Sequence, residues 1–264
     1  GINMKLKEGI YEQVISNKIH EEIKNRENEI NIHKEEIEKE EAKIVLSKYL
    51  QEVTKKSLNL MKNKDLNKQI ELCNQIINYL STQVEDEEIK ENNIHKNGEI
   101  LLSIEEKLNK SKIKNNNIRP ITPISQSYLF TNSNNEPDLI NELKREIASS
   151  DSIDILVSFI RWSGLRLIKD ELIEHTKTKK LRIITTSYMG ASEFRAIKFL
   201  SQLPNTEIKI SYDTQRTRLH AKSYMFNRNT GFTTAYIGSS NISKDAMTTG
   251  LEWNMKVSEK DSKN

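Results

Sequence analysis

Four residues near the end of the chain have side chains that could perform phosphoryl chemistry together: His220, Lys222, Asn241 and Glu252. An imidazole can attack phosphorus, an ammonium and an amide can hold the non-bridging oxygens, and a carboxylate can orient the imidazole ring. His220 and Lys222 are two residues apart, so a β-strand would project both side chains to the same side. Alternating apolar and polar residues around this pair, and again from residue 236, predict two short strands.

The order and spacing of these residues resemble the signature of the phospholipase D superfamily, which is His-x-Lys, four residues, Asp, and then Gly-Ser-x-Asn. His220 and Lys222 match the first part, and residues 238–241, Gly-Ser-Ser-Asn, match the second. Asn227 occupies the Asp position, which is a departure from the signature. Nucleases of the superfamily also place a glutamate eleven positions after the asparagine, and Glu252 stands at that distance here. The resemblance therefore favours the nuclease branch over the lipid-hydrolysing branch.

The resemblance implies a role for each member of the set. His220 would be the nucleophile and form a phosphohistidine intermediate, while Lys222 and Asn241 neutralise the phosphoryl oxygens. Glu252 would accept a hydrogen bond from the other ring nitrogen of the histidine and fix its tautomer. No metal or other cofactor is implied. The remaining histidines form no metal-ligand pattern with carboxylates; they are His20, His33, His95 and His175.

The superfamily's reaction uses two histidines, one that attacks phosphorus and one that protonates the leaving oxygen. This chain has one His-x-Lys pair followed by a Gly-Ser-x-Asn stretch, and its sequence holds no second copy of that motif. The resemblance therefore implies a homodimer in which His220 of each protomer faces the other across a two-fold axis.

Five further residues are candidate substrate contacts. Ser163 and Tyr188 lie in loops that follow predicted strands, where ligands bind in α/β sheets, and the amides of the helix after Ser163 could hold a phosphate. Arg216 and Arg218 precede the His-x-Lys pair and could contact backbone phosphates. Ser239 belongs to the Gly-Ser-Ser-Asn stretch. Plainer alternatives stay open: Ser163 as a helix cap, Tyr188 as a packing aromatic, and the arginines as solvated loop charges.

The elements that must position these residues follow a break in composition. Residues 114–117 are polar, and Pro120 and Pro123 interrupt any helix, so a linker is predicted there. Beyond it, strands and helices alternate, which predicts an α/β fold with a mixed sheet flanked by helices, as in the phospholipase D-like fold. A helix should start at residues 136–138 and bury Leu139, Ile140, Leu143 and Ile147. Strands are predicted at 153–160, 181–186, 207–211 and around residues 220, 236 and 251, with helices at 164–176 and 191–203.

The region before the linker, from about residue 11 to residue 110, is predicted to consist mainly of helices, with a polar loop at residues 85–97. Apolar residues recur at helical spacing in residues 44–58 and 66–80, and residues 100–108 form a third candidate. Residues 20–40 are charged nearly throughout, which favours a solvated helix. We therefore predict a helical N-terminal region for assembly or docking at residues 1–118 and a phospholipase D-like nuclease domain at residues 119–264.

Composition narrows the class of protein. The 264 residues are 35% hydrophobic and 30% charged, as expected for a chain with long solvated helices, and the net charge is only +3. Any basic surface for DNA must therefore be local. Cys73 is the only cysteine, so a disulfide framework is excluded and a cytoplasmic setting is expected. No apolar run reaches membrane-spanning length, so no membrane partner is predicted.

A wider resemblance involves residues 9–13, residues 40–42 leading to 46–50, and residues 157–164. These stretches are similar to the leading segment of bacterial proteins in which a phospholipase D-like nuclease precedes a superfamily II helicase motor. Some of those are ATP-dependent, type IV-like restriction enzymes directed at modified DNA, which implies that this chain is an N-terminal portion and that its partner is DNA. No Gly-x-x-x-x-Gly-Lys-Ser/Thr loop occurs here, so ATP would serve only a motor that follows.

Two other functions remain open from the sequence. A phosphodiesterase acting on lipids or other small diesters would need an apolar entrance or a membrane-binding surface, and the sequence shows neither. A non-catalytic module that binds nucleic acid or holds an assembly together fits Asn227 and the large helical region. The leading hypothesis is a metal-independent endonuclease.

Overall fold

The computed structural model describes residues 5–106, 118–131, 138–186, 190–211, 222–248 and 254–262. The chain divides into two compact units, residues 1–102 and 103–264. The predicted boundary at residues 118 and 119 lies inside the second unit.

The described elements of the first unit are helices. They are α1 (Asn17–Asn25), α2 (Ala42–Leu60), a short 3-10 helix (Lys62–Lys64), α3 (Leu66–Val84) and α4 (Glu87–Lys90). Ser16 and Asp65 cap α1 and α3, since their side-chain oxygens accept hydrogen bonds from backbone amides of the first turn. Ile70, on α3, is buried.

Two helix predictions for the region before the predicted linker are wrong. The predicted helix at residues 20–40 ends at Asn25, and residues 30–38 have no regular structure. Residues 100–106 form no helix either, while residues 107 and 108 lie outside the described ranges. Ile100, Leu101 and Ile104 are highly exposed. Because a short helix is stable mainly when its apolar face packs against a partner, these segments lack the burial that would hold them helical.

Among the described residues of the second unit, seven strands form one mixed sheet, in the spatial order β1-β7-β6-β5-β2-β3-β4. Strands β2, β3 and β4 are parallel, and the pairs β2–β5, β5–β6, β6–β7 and β7–β1 are antiparallel. The strands are β1 (Tyr128–Phe130), β2 (Ser152–Val157), β3 (Lys180–Thr186), β4 (Thr206–Ser211), β5 (Lys222–Asn227), β6 (Thr234–Gly238) and β7 (Asn254–Ser258). The predicted mixed sheet flanked by helices is confirmed.

The helices of this unit are α5 (Leu139–Ser149), α6 (Trp162–Leu165), α7 (Lys169–Thr176), α8 (Ala191–Ser201), α9 (Lys244–Thr248) and α10 (Glu259–Ser262). Helix α5 buries its predicted inner face, and Asp138 caps it by accepting a hydrogen bond from the amide of Ile140. Alternate residues of β2, Ile153, Ile155 and Val157, are buried in the same core. On the opposite face of the sheet, apolar side chains are exposed: Ile184, Met225, Ile237 and Met255.

Two details of this unit differ from the sequence predictions. The single helix predicted at residues 164–176 is two helices, because Ile168 leaves the helical backbone region at φ −117° and ψ 9°. Residue 251, around which a strand was expected, lies outside the described residues, and β7 is described at Asn254–Ser258. Strand β1 was not predicted, since three residues are too few to show a period.

Candidate active site

The two described parts of the signature meet at one edge of the sheet. Strands β2, β3, β4 and β6 end at this edge, and β5 and β7 begin there. Lys222 is the first residue of β5 and lies directly opposite Gly238, the last residue of β6. Gly238 in turn lies opposite Asn254, the first residue of β7. We call this the site edge.

Lys222 is 8% exposed and shares the helix-covered face of β5 with Tyr224 and Phe226. The predicted strand around the His-x-Lys pair therefore exists from Lys222 onward. His220 and Glu252 lie outside the described residues, as do Tyr188, Arg216 and Arg218. Their assigned roles stay predictions.

Asn241 follows β6 at the site edge and is 8% exposed. Its side-chain Oδ1 accepts hydrogen bonds from the backbone amides of Ser158 at 2.9 Å and Phe159 at 3.3 Å. Both donors lie just after the end of β2. Because backbone amides can only donate, they require the oxygen of the side-chain amide on their side. The amino group of Asn241 is therefore the half that is directed elsewhere and able to donate to a ligand.

Ser240 is enclosed between two strands. Its Oγ accepts a hydrogen bond from Asn254 Nδ2 at 2.8 Å, and its carbonyl oxygen accepts one from the Tyr224 hydroxyl at 2.7 Å. Sequence reasoning assigned no role to Asn254 or Tyr224. The only available signal was their position, two residues beyond Glu252 and Lys222. Ser239, by contrast, is exposed.

The segment after β2 packs against the segment after β6. The amide of Arg161 donates to the carbonyl oxygen of Ile242 at 2.8 Å, and Ile160 pairs with Ile242 in a parallel bridge. At Gly164 an added Cβ would lie 2.5 Å from the amide nitrogen of Ser243, so only glycine fits this approach. Ser163 is half-buried in this segment, one residue from that contact.

The alternative interpretation of Ser163 as a helix cap is wrong, because Arg161 occupies the cap position of α6. Helix α6 is also a single turn of four residues, shorter than the predicted helix. Trp162 packs edge-on against Phe199 at 5.6 Å, with the Arg195 guanidinium 4.3 Å from its ring centroid. Trp162 is therefore a packing aromatic.

Asn227, the departure from the signature, lies at the end of β5 opposite the site edge. Its Nδ2 donates to Asp154 Oδ2 at 3.0 Å and to the Ser152 carbonyl at 3.4 Å. A hydrogen bond from Arg182 is the main reason that the pKa of Asp154 is lowered, with the bond from Asn227 adding to it. Asn227 thus takes part in polar contacts at the C-terminal end of β5 and does not reach the site edge.

Within the described ranges, no three or more His, Cys, Asp or Glu side chains are grouped so that they could hold a metal ion. Among the helices that the structure describes, none combines the length and the apolar character needed to cross a membrane.

Residues 143–264, somewhat less than half of the chain, match the family model described as cardiolipin synthase, PLD-like domain. Among solved structures, the chain is similar to NucT from Helicobacter pylori, with 21% identity, 51% of this chain and 86% of that chain covered, and a TM-score of 0.41. It is also similar to Nuc from Salmonella typhimurium, a phospholipase D family member, with 18% identity, 50% and 82% covered, and a TM-score of 0.38. The chain matches no curated protein at a significant level. The part of the chain that matches this family model includes Lys222, Asn227 and the Gly-Ser-Ser-Asn stretch.

Proposed function

We propose that this chain is a metal-independent endonuclease that hydrolyses DNA phosphodiester bonds through a phosphohistidine at His220. One observation carries the proposal. Lys222 is in register with Gly238, the first residue of the Gly-Ser-Ser-Asn stretch, so the two separate parts of the signature lie at one edge of the sheet. The amino group of Asn241 is left to donate because its oxygen is held by two backbone amides. The match of residues 143–264 to a phospholipase D-like family model supports the same reaction class.

In the proposed reaction, the His220 imidazole attacks phosphorus, a nitrogen–phosphorus bond forms and the bond to the leaving oxygen breaks. A second histidine donates a proton to that oxygen and then removes a proton from the water that hydrolyses the phosphohistidine. Lys222 and the amino group of Asn241 stabilise the negative charge on the non-bridging oxygens. Glu252 orients the His220 ring. These protein groups would supply the charge neutralisation that a metal provides elsewhere.

The second histidine is proposed to be the partner's His220, in a homodimer with one composite site on its two-fold axis. Ser239, Ser163, Tyr188, Arg216 and Arg218 are proposed to contact the DNA backbone near that site. Coupling to an ATP-driven helicase in a restriction or defence enzyme is proposed from the resemblance of the segments before residue 164.

The test is cleavage of plasmid DNA in EDTA by the wild type, His220→Ala and His33→Ala. The wild type and His33→Ala should cleave, because His33 is a highly exposed side chain of the first unit, and His220→Ala should not. Activity should also fall on dilution below the dissociation constant of the dimer, which light scattering measures. Cleavage by His220→Ala at the wild-type rate, or cleavage that chelation abolishes, would contradict the proposal.

A further inference from the structure

Asn254 occupies a position at the site edge that the signature does not include. We infer that Asn254 is a positioning residue for the proposed reaction. It holds Ser240 and thereby fixes the neighbours of Ser240, namely Ser239 and Asn241. The inference deepens the proposed function and rests on it.

The contact between Asn254 and Ser240 is buried. Asn254 is 3% exposed and Ser240 2% exposed, and the Asn254 amide donates to the Ser240 hydroxyl oxygen at 2.8 Å. A buried donor that loses its partner cannot turn to water without local rearrangement, so such a bond strongly favours one geometry. The bond joins the start of β7 to the turn that follows β6.

Three further hydrogen bonds hold this turn from other directions. The Tyr224 hydroxyl, from β5, holds the Ser240 carbonyl at 2.7 Å, and Asn241 Oδ1 is held by the Ser158 and Phe159 amides after β2. Residues 240 and 241 are therefore tied to three separate parts of the sheet. Asn254 is the residue that binds the side chain of Ser240. It lies on β7, directly opposite Gly238.

Loss of this tie should displace the Asn241 amino group from the phosphoryl oxygens that it is proposed to meet. A displacement of about 1 Å at a reacting centre can cost about a hundredfold in rate. We expect Asn254→Ala to lower kcat by about ten- to a hundredfold. KM should change little, because contacts to the DNA backbone outside the site supply most of the affinity.

The experiment is a double-mutant cycle on plasmid cleavage with Asn254→Ala, Ser240→Ala and the double variant. Because both single changes remove the same hydrogen bond, the double variant should lose no more kcat than the more affected single variant. Asn227→Ala is the control at the other end of β5, since it removes part-buried amide bonds that lie away from the site edge, and its kcat should stay within about twofold of the wild type.

Asn254→Asp supplies a rescue that a purely structural loss would not show. An aspartate can accept from the Ser240 hydroxyl when ionised or donate to it when protonated, so it keeps a bond at this position. Its kcat should lie above that of Asn254→Ala. Ser240→Ala and Asn254→Asp also carry the test if Asn254→Ala fails to fold.

The outcomes separate the two proposals. Additive losses in the cycle, a loss confined to KM, or no rescue by Asn254→Asp would overturn the positioning role while leaving an active His220-dependent nuclease. A folded wild type without His220-dependent cleavage would overturn the proposed function itself.

Discussion

The two edges of the sheet bury polar groups in different ways. At the site edge the buried hydrogen bonds described above join neutral amides, hydroxyls and backbone groups of Ser240, Asn241 and Asn254, beside the buried side chain of Lys222. Toward the opposite edge, full charges are enclosed: Glu146 of α5 lies 3.1 Å from Lys256 and 3.4 Å from Arg228. Glu146 and Lys256 are both 0% exposed. Burial lowers the pKa of Lys256, while Glu146 acts in the opposite direction.

This difference indicates that the edge opposite the site stabilises the fold, whereas the site edge orients groups of the candidate active site. Removing one member of a buried ion pair leaves the other charge buried without compensation, which is strongly destabilising. The ionic cluster therefore holds α5, β7 and the segment after β5 together. Thr122 extends it, because Lys256 donates to Thr122 Oγ1 at 2.8 Å and Glu142 accepts from the same hydroxyl at 2.7 Å. The hydrogen bonds between neutral groups at the site edge instead orient donors such as the Asn241 amino group, without the cost of burying a charge. We therefore expect substitutions at the opposite edge to lower mainly the free energy of unfolding, and substitutions at the site edge to lower mainly kcat.

Glu146→Ala should produce the largest effect, a loss of about 3–5 kcal/mol in the free energy of unfolding, because it leaves Lys256 and Arg228 buried without their carboxylate. Urea unfolding followed by circular dichroism measures it. Glu174→Ala is the matched control, since it breaks an exposed ion pair with Lys177 and should cost less than about 1 kcal/mol. Equal losses in the two variants would remove the distinction between the edges.

Asn241→Asp should show the converse pattern. Its carboxylate can still accept hydrogen bonds from the Ser158 and Phe159 amides, so the free energy of unfolding should change by less than about 1 kcal/mol. The variant loses the donor to the phosphoryl oxygen, so kcat should fall by about a hundred- to a thousandfold. Steady-state cleavage kinetics beside urea unfolding measure both quantities. An Asn241→Asp enzyme with wild-type kcat would mean that the amino group is not a catalytic donor.

The smallest effect should come from His175, which also lies near the edge opposite the site. Burial lowers the pKa of His175, whose Nε2 lies 3.0 Å from the Lys180 carbonyl. The unfolded chain therefore takes up a proton at this residue before the folded chain does, and stability should fall as pH drops below about 6.5. One proton changes the free energy by at most about 1.4 kcal/mol per pH unit. His175→Gln, which keeps a donor but does not titrate, should flatten the slope of unfolding free energy between pH 8 and 5; an unchanged slope would contradict the assignment.

Much of the second unit could be predicted from periodicity. The inner face of α5 and the cores of β2, β3 and β4 follow patterns that a sequence displays directly, because each side chain repeats with the helix or strand period. The failures have tertiary causes. The break between α6 and α7 accompanies the close approach of Gly164 to Ser243, and β1 exists through its pairing with β7. Residues 30–38 and 100–106 are predicted as helices from the sequence but lack the packing that would stabilise a helix.

The sequence by itself determined which chemistry was available and in what order its residues occur: His220, Lys222, the Gly-Ser-Ser-Asn stretch and Glu252. It also determined the alternation of strands and helices that follows residue 138. Only the tertiary structure decided which way the Asn241 amide points, because its two donors come from a loop 82 and 83 residues away. The same holds for Asn254 on Ser240 and for Glu146 between Lys256 and Arg228. These contacts depend on strand register, which a single sequence does not encode locally.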